Sequence, residues 1–140
     1  MKDFDNIING MLTVLGNALE NDIDFEDTMT IVAKFIDERN INLEDDISLH
    51  KKFYIENKVH RKCCSLKNSC LQEAILLFFT LGKMGFNPTL NIGYIKQSNK
   101  RLYAHAWLSY QGQQKDCSNC LGVIKQYTYT DFYNNFLKNT

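Results

Sequence analysis

Cys70 stands between Ser69 and Leu71-Gln72, at the head of an apolar run that continues to Leu81. Ser69 followed three residues later by Gln72 has the spacing of a capping box, which predicts a helix opening at Cys70. The first turn of a helix leaves backbone N–H groups unpaired, and its dipole is positive there, so both favour an anion. A thiol in that place is a candidate nucleophile; the plainer reading is a small buried hydrophobe. Cysteine chemistry also needs a base and a group that orients the base. His105 is the only histidine in the second half of the chain, and Asp116 is the only acid between Glu73 and Asp131. These two are the candidates, against a structural histidine and a surface aspartate. Asn68 is a weaker side-chain oxyanion donor and reads first as a turn residue.

The elements that must position these groups follow from periodicity. Phe4, Ile7, Ile8, Met11, Leu12 and Leu15 recur at helical spacing. Asn21 to Asp24 is a break rich in N-cap residues, and a second helix carries Phe25, Met29, Val32, Phe35 and Ile36. After a break at Asn40-Ile41-Asn42, a third helix is expected from about Asp45 to Val59. The run behind Cys70 is apolar almost all round, so its helix should be buried. Gly82 or Gly85 can end it, and Pro88 prevents continuation.

Beyond Pro88 the period changes to two. A strand is predicted over Thr89 to Ile95 and a second over Leu102 to Tyr110, separated by the polar stretch 96–101. Tyr103, His105 and Trp107 share one face of the second strand. With Gln111-Gly112 as a two-residue hairpin turn and a third strand opening over Gln113 to Asp116, Trp107 would face Asp116. His105 would face Ser118, leaving Asp116 on the diagonal from the imidazole. The aromatic-rich end should close the fold with a strand and a short helix.

At 140 residues the chain is expected to form one domain: a helical part over 1–60, a core over 61–120 and a closing segment over 121–140. No run is long enough for a membrane helix, and the acidic start lacks a signal peptide's apolar core. A cytoplasmic location is therefore expected, with Cys63, Cys64, Cys70, Cys117 and Cys120 mostly reduced. The zero net charge hides a split. Residues 1–46 hold 12 acidic and 3 basic side chains, and the remainder holds 4 and 13. The halves either pack together or offer two docking surfaces; the basic residues are too dispersed to suggest nucleic acid. Cys117-x-x-Cys120 has ligand spacing, and Cys63-Cys64 could add sulfurs. With no second C-x-x-C the zinc signal is weak, and no metal site is expected.

The segments SCLQEAILLFFTLGKMGFNPTLNIGY and YAHAWLSYQG, followed by KD, resemble the transglutaminase-like cysteine peptidase of lasso peptide biosynthesis over about residues 63–117. The shared features are a Cys-Leu opening a helix, a Gly-containing turn, a strand with a glycine, the triplet His105-Ala106-Trp107 and a later aspartate. Ser109 departs from the pattern, which usually has an acid there, and the other four cysteines lie outside it. The resemblance implies an α+β fold with a transglutaminase-like (papain-like) core: N-terminal helices, then the cysteine helix packed on an antiparallel sheet carrying His105 and Asp116. It implies Cys70 as nucleophile, His105 as general base and acid, and Asp116 as its orienter, with no cofactor. The activity would be leader removal from a ribosomally made precursor. The partners would be that leader, a separate leader-recognition protein, because no strand-bearing recognition module is read in residues 1–60, and a ring-closing macrocyclase. A transglutaminase or glutamine deamidase is the alternative enzyme, and a cysteine-rich metal-binding interaction module the alternative outside enzymes.

Overall fold

The computed structural model describes residues 2–39, 49–96, 102–110 and 120–138. Its order is α1 (Lys2–Glu20), α2 (Phe25–Glu38), α3 (Leu49–Cys63), α4 (Ser69–Lys83), β1 (Thr89–Lys96), β2 (Leu102–Ser109), β3 (Cys120–Thr128) and α5 (Tyr129–Lys138). The class is α+β, with a three-stranded antiparallel sheet beside the helices. No described helix is long and apolar enough to cross a membrane.

Helix α4 is the hub. Every residue from Ala74 to Gly82 is buried, as an apolar surface without a polar stripe requires. α1, α3 and α5 pack on it, and so do β1 and β2. Phe4, Ile8, Met11 and Leu15 bury one stripe of α1, while Met29, Val32 and Ile36 do the same for α2. On the sheet, Leu90, Ala106 and Leu108 join the core with α4. Phe78 and Phe79 meet Phe132 edge-on from α5.

The ends of α4 refine the sequence reading. The helix opens at Ser69, one residue earlier than predicted, with Asn68 at the N-cap in the left-handed region (φ 57°) and making no side-chain cap bond. The capping box does not form: the Gln72 Nε2–H donates to the Lys67 carbonyl at 2.7 Å. Asparagine tolerates the left-handed conformation, so the turn itself sets the start. At the other end Gly85 takes φ 100°, Phe86 N–H donates to the Leu81 carbonyl and Gly85 N–H to that of Gly82. This is a Schellman ending. Gly82 serves packing instead, because a Cβ there would enter the Tyr129 ring. Asp24 caps α2 by accepting from Asp27 N–H at 2.9 Å. The third helix is described from Leu49 and runs past Val59 to Cys63, its last turn basic with His60, Arg61 and Lys62.

The sheet order is β2-β1-β3. The strand expected in the closing segment is β3, which pairs antiparallel with β1, Thr89 opposite Thr128. β1 carries the buried Leu90 and Asn91 and occupies the middle, so both of its edges need partners. The breaks at Asn40-Ile41-Asn42 and 97–101, the turn Gln111-Gly112 and the stretch Gln113 to Asp116 lie outside the described residues. A polar row crosses the sheet: Asn91 Nδ2 donates to Ser109 Oγ at 3.0 Å, and Asn91 Oδ1 accepts from Gln126 Nε2 at 2.8 Å.

Candidate active site

Cys70 is the second residue of α4 and an exposed free thiol, in contrast with the burial of the rest of the helix. The helical hydrogen-bond ladder begins with Gln72 N–H to the Asn68 carbonyl, so the Cys70 N–H precedes it and is available to a ligand. Cys70, Glu73, Ala74 and Leu77 stand at i, i+3, i+4 and i+7 and form one wall of a cleft of about 250 Å³. The opposite wall is β2, from His105 to Leu108, with Tyr110; α3 contributes Glu56. Two of the three predicted residues, the thiol and the imidazole, thus share a cleft. The third, Asp116, lies outside the described residues, as do Cys117 and Ser118.

His105 is half-buried and stacks on Trp107, ring centroids 5.5 Å apart and planes 18° from parallel. The two rings share a sheet face through their i, i+2 spacing. Across the ladder His105 sits opposite Gly93. Burial pushes the His105 pKa below its ordinary value, which favours the neutral ring that accepts a proton. Tyr110 has a buried hydroxyl without a hydrogen-bond partner among the described residues, and Lys52 Nζ lies 3.7 Å above its ring. Burial pushes that phenol up.

Two cleft residues were missed by sequence reasoning. Glu73 had a signal, since i+3 from Cys70 places it on the same helix face. It accepts from His60 Nδ1 at 3.0 Å. Glu56 had none, because nothing in the sequence states how α3 packs on α4. Cys63 is buried beneath this region, and burial, reinforced by Glu73, pushes its thiol up to about 12, so it is no competitor to Cys70 as nucleophile. Among the described residues no group of three His, Cys, Asp or Glu could hold a metal ion. Cys117 lies outside the described residues and no side chain is described for Cys120.

An exposed thiol at a helix start and a half-buried imidazole lining the same small cleft are the two groups that acyl transfer requires. The sequence model of the transglutaminase-like superfamily matches residues 54–128, more than half of the chain, and spans Cys70, His105 and Asp116. No curated protein and no solved structure matches the chain significantly.

Proposed function

Because the chain belongs to the transglutaminase-like superfamily, we propose that it is a cysteine peptidase that removes the leader from a ribosomally made lasso peptide precursor. The meeting of Cys70 and His105 in one cleft carries the reading of acyl transfer. The triplet His105-Ala106-Trp107, with the imidazole stacked on the indole, supports the narrower assignment to leader removal. Cys63, Cys64 and Cys70, the cysteines whose side chains are described, are free thiols, which suits a reducing cytoplasmic setting.

In this mechanism the Cys70 thiolate attacks the last carbonyl of the leader, and a C–S bond forms as the carbonyl oxygen takes negative charge. The Cys70 N–H, ahead of the helical ladder, stabilises that oxygen. The C–N bond then breaks, and His105, which has accepted the thiol proton, protonates the leaving amine. Water, deprotonated by the same imidazole, cleaves the thioester and releases the leader as a carboxylate. Asp116 is assigned to orient His105. A separate leader-recognition protein would deliver the precursor and raise its effective concentration at Cys70, and a macrocyclase would then close the ring.

The test is precursor cleavage followed by mass spectrometry, with and without the recognition partner. Wild type should release leader and core, faster by orders of magnitude with the partner, and Cys70→Ala should lose at least about 10⁴-fold in rate while folding normally. Undiminished cleavage by Cys70→Ala would end the nucleophile assignment. Ammonia release without chain cleavage would move the reading to a glutamine deamidase.

A further inference from the structure

The cleft that holds Cys70 is unevenly charged. Two carboxylates line it, Glu73 from α4 and Glu56 from α3, while no lysine or arginine does among the described residues. Glu73 is one helical turn beyond Cys70 on the same wall, its side chain about one-quarter exposed at 27%. His60 Nδ1 lies 3.0 Å from the Glu73 carboxylate and holds it in place. His60 from α3 contacts this carboxylate, the Cys63 thiol feels its charge, and Glu56, Cys70 and His105 line the same cleft. A partly buried anion with no lysine or arginine among the described residues lining its cleft attracts a positive group entering there. In a peptidase cleft the positive group that enters is a side chain of the substrate.

We propose that Glu73 is a specificity-determining residue, which selects a peptide bearing a lysine or arginine side chain next to the bond that Cys70 attacks. This rests on the peptidase reading above and deepens it by naming the substrate's charge. Glu73 takes no proton and forms no bond in the reaction. It acts on which peptide is bound and how the carbonyl is presented to the thiolate.

Two measurements separate this inference from the reading beneath it. The first needs no enzymatic activity. Cys70 is modified with a cationic (trimethylammonium-ethyl) and an anionic (sulfonato-ethyl) methanethiosulfonate, and the peptide containing Cys70 is followed by mass spectrometry. The ratio of cationic to anionic rates should fall about tenfold in Glu73→Gln and recover in Glu73→Asp, as expected for one charge a helical turn away in a solvent-open cleft. The second compares hydrolysis of the p-nitrophenyl esters of benzyloxycarbonyl-lysine and its uncharged isostere benzyloxycarbonyl-norleucine. The lysine ester should be preferred about tenfold in kcat/KM by wild type, with the preference abolished in Glu73→Gln. Glutamine keeps the shape and can still accept from His60, so the variant should fold. A reagent ratio unmoved by Glu73→Gln, or a lysine preference that survives it, overturns the inference alone. Ester hydrolysis that persists in Cys70→Ala overturns the peptidase reading and the inference with it.

Discussion

The cleft at Cys70 and the groove between α2, β3 and α5 make an instructive pair. The groove is the larger, about 660 Å³ against about 250 Å³, and it too is lined by carboxylates, Glu26 and Asp131. Glu26, however, is already engaged. Lys125 Nζ reaches Glu26 at 2.7 Å and Tyr127 donates to the same carboxylate at 3.3 Å, which holds Glu26 below the usual carboxylate range. Together with Lys58 and Asp5, 2.7 Å apart, these contacts tie the acidic N-terminal segment to the basic remainder. The smaller cleft instead keeps an exposed thiol and a half-buried imidazole. Volume marks where elements meet imperfectly; reactive groups left without permanent partners mark where chemistry can occur.

The largest effect that would break this comparison is a loss of cleavage from the wrong side. His105→Ala should reduce kcat/KM by at least about 10³-fold, since the proton carrier is gone, whereas Glu26→Gln in the groove should stay within about twofold of wild type. Asp116→Asn should fall between them, an orienter mattering less than the group it orients. Wild-type rates in Asp116→Asn would remove that residue from the mechanism. An equal loss in Glu26→Gln would mean that the groove contributes to substrate binding.

The acid limb of the rate profile sharpens the comparison. The His105 pKa is lowered by burial, so its neutral, proton-accepting form persists below the ordinary histidine value of about 6.5. Activity should therefore hold as pH falls to that value and drop only beneath it. Trp107→Ala admits water to the imidazole and should move the limb upward, with some loss of rate. By linkage, a histidine with a depressed folded-state pKa makes the fold less stable on acidification through the same window, because the unfolded chain binds the proton more readily. A limb at or above the ordinary value in wild type would contradict the burial of His105.

Smaller effects separate packing from chemistry. Gly82→Ala drives a methyl into Tyr129 and should destabilise by about 1–3 kcal/mol in urea titration. Gly16→Ala, in α1 with open space around it, should stabilise by roughly 0.5–1 kcal/mol. Equal and opposite shifts from that expectation would mean that α5 does not seat on α4 as described.

The helices and the first two strands were legible because burial writes its period into the sequence: Phe4, Ile8, Met11 and Leu15 for α1, Leu90, Ala106 and Leu108 for the sheet. Cys70 and His105 were legible because helix starts and strand faces can be read locally. Two things were not. The start of α4 shifted by one residue because a left-handed Asn68 outweighed a plausible cap. The neighbour of β3 was not legible, because alternation tells a strand which way its side chains face and not which neighbour it will join. Glu56 was invisible for the same reason, since inter-helix packing has no local signature.

Asn91 gives the sheet something its apolar residues cannot. A core of Leu, Ile and Ala tolerates sliding, because one methyl replaces another. The Asn91 amide, 2% exposed, makes its shortest bonds when Gln126 arrives opposite it and Ser109 on the diagonal. A one-residue slip of either edge strand would strand buried donors and acceptors, at about 1–3 kcal/mol each. In β2 the same slip would turn His105 to the other face of the sheet. Asn91 therefore works as a key for the alignment of the chain: during folding it rejects the near-isoenergetic pairings that would bury the same oil and leave Cys70 without its base.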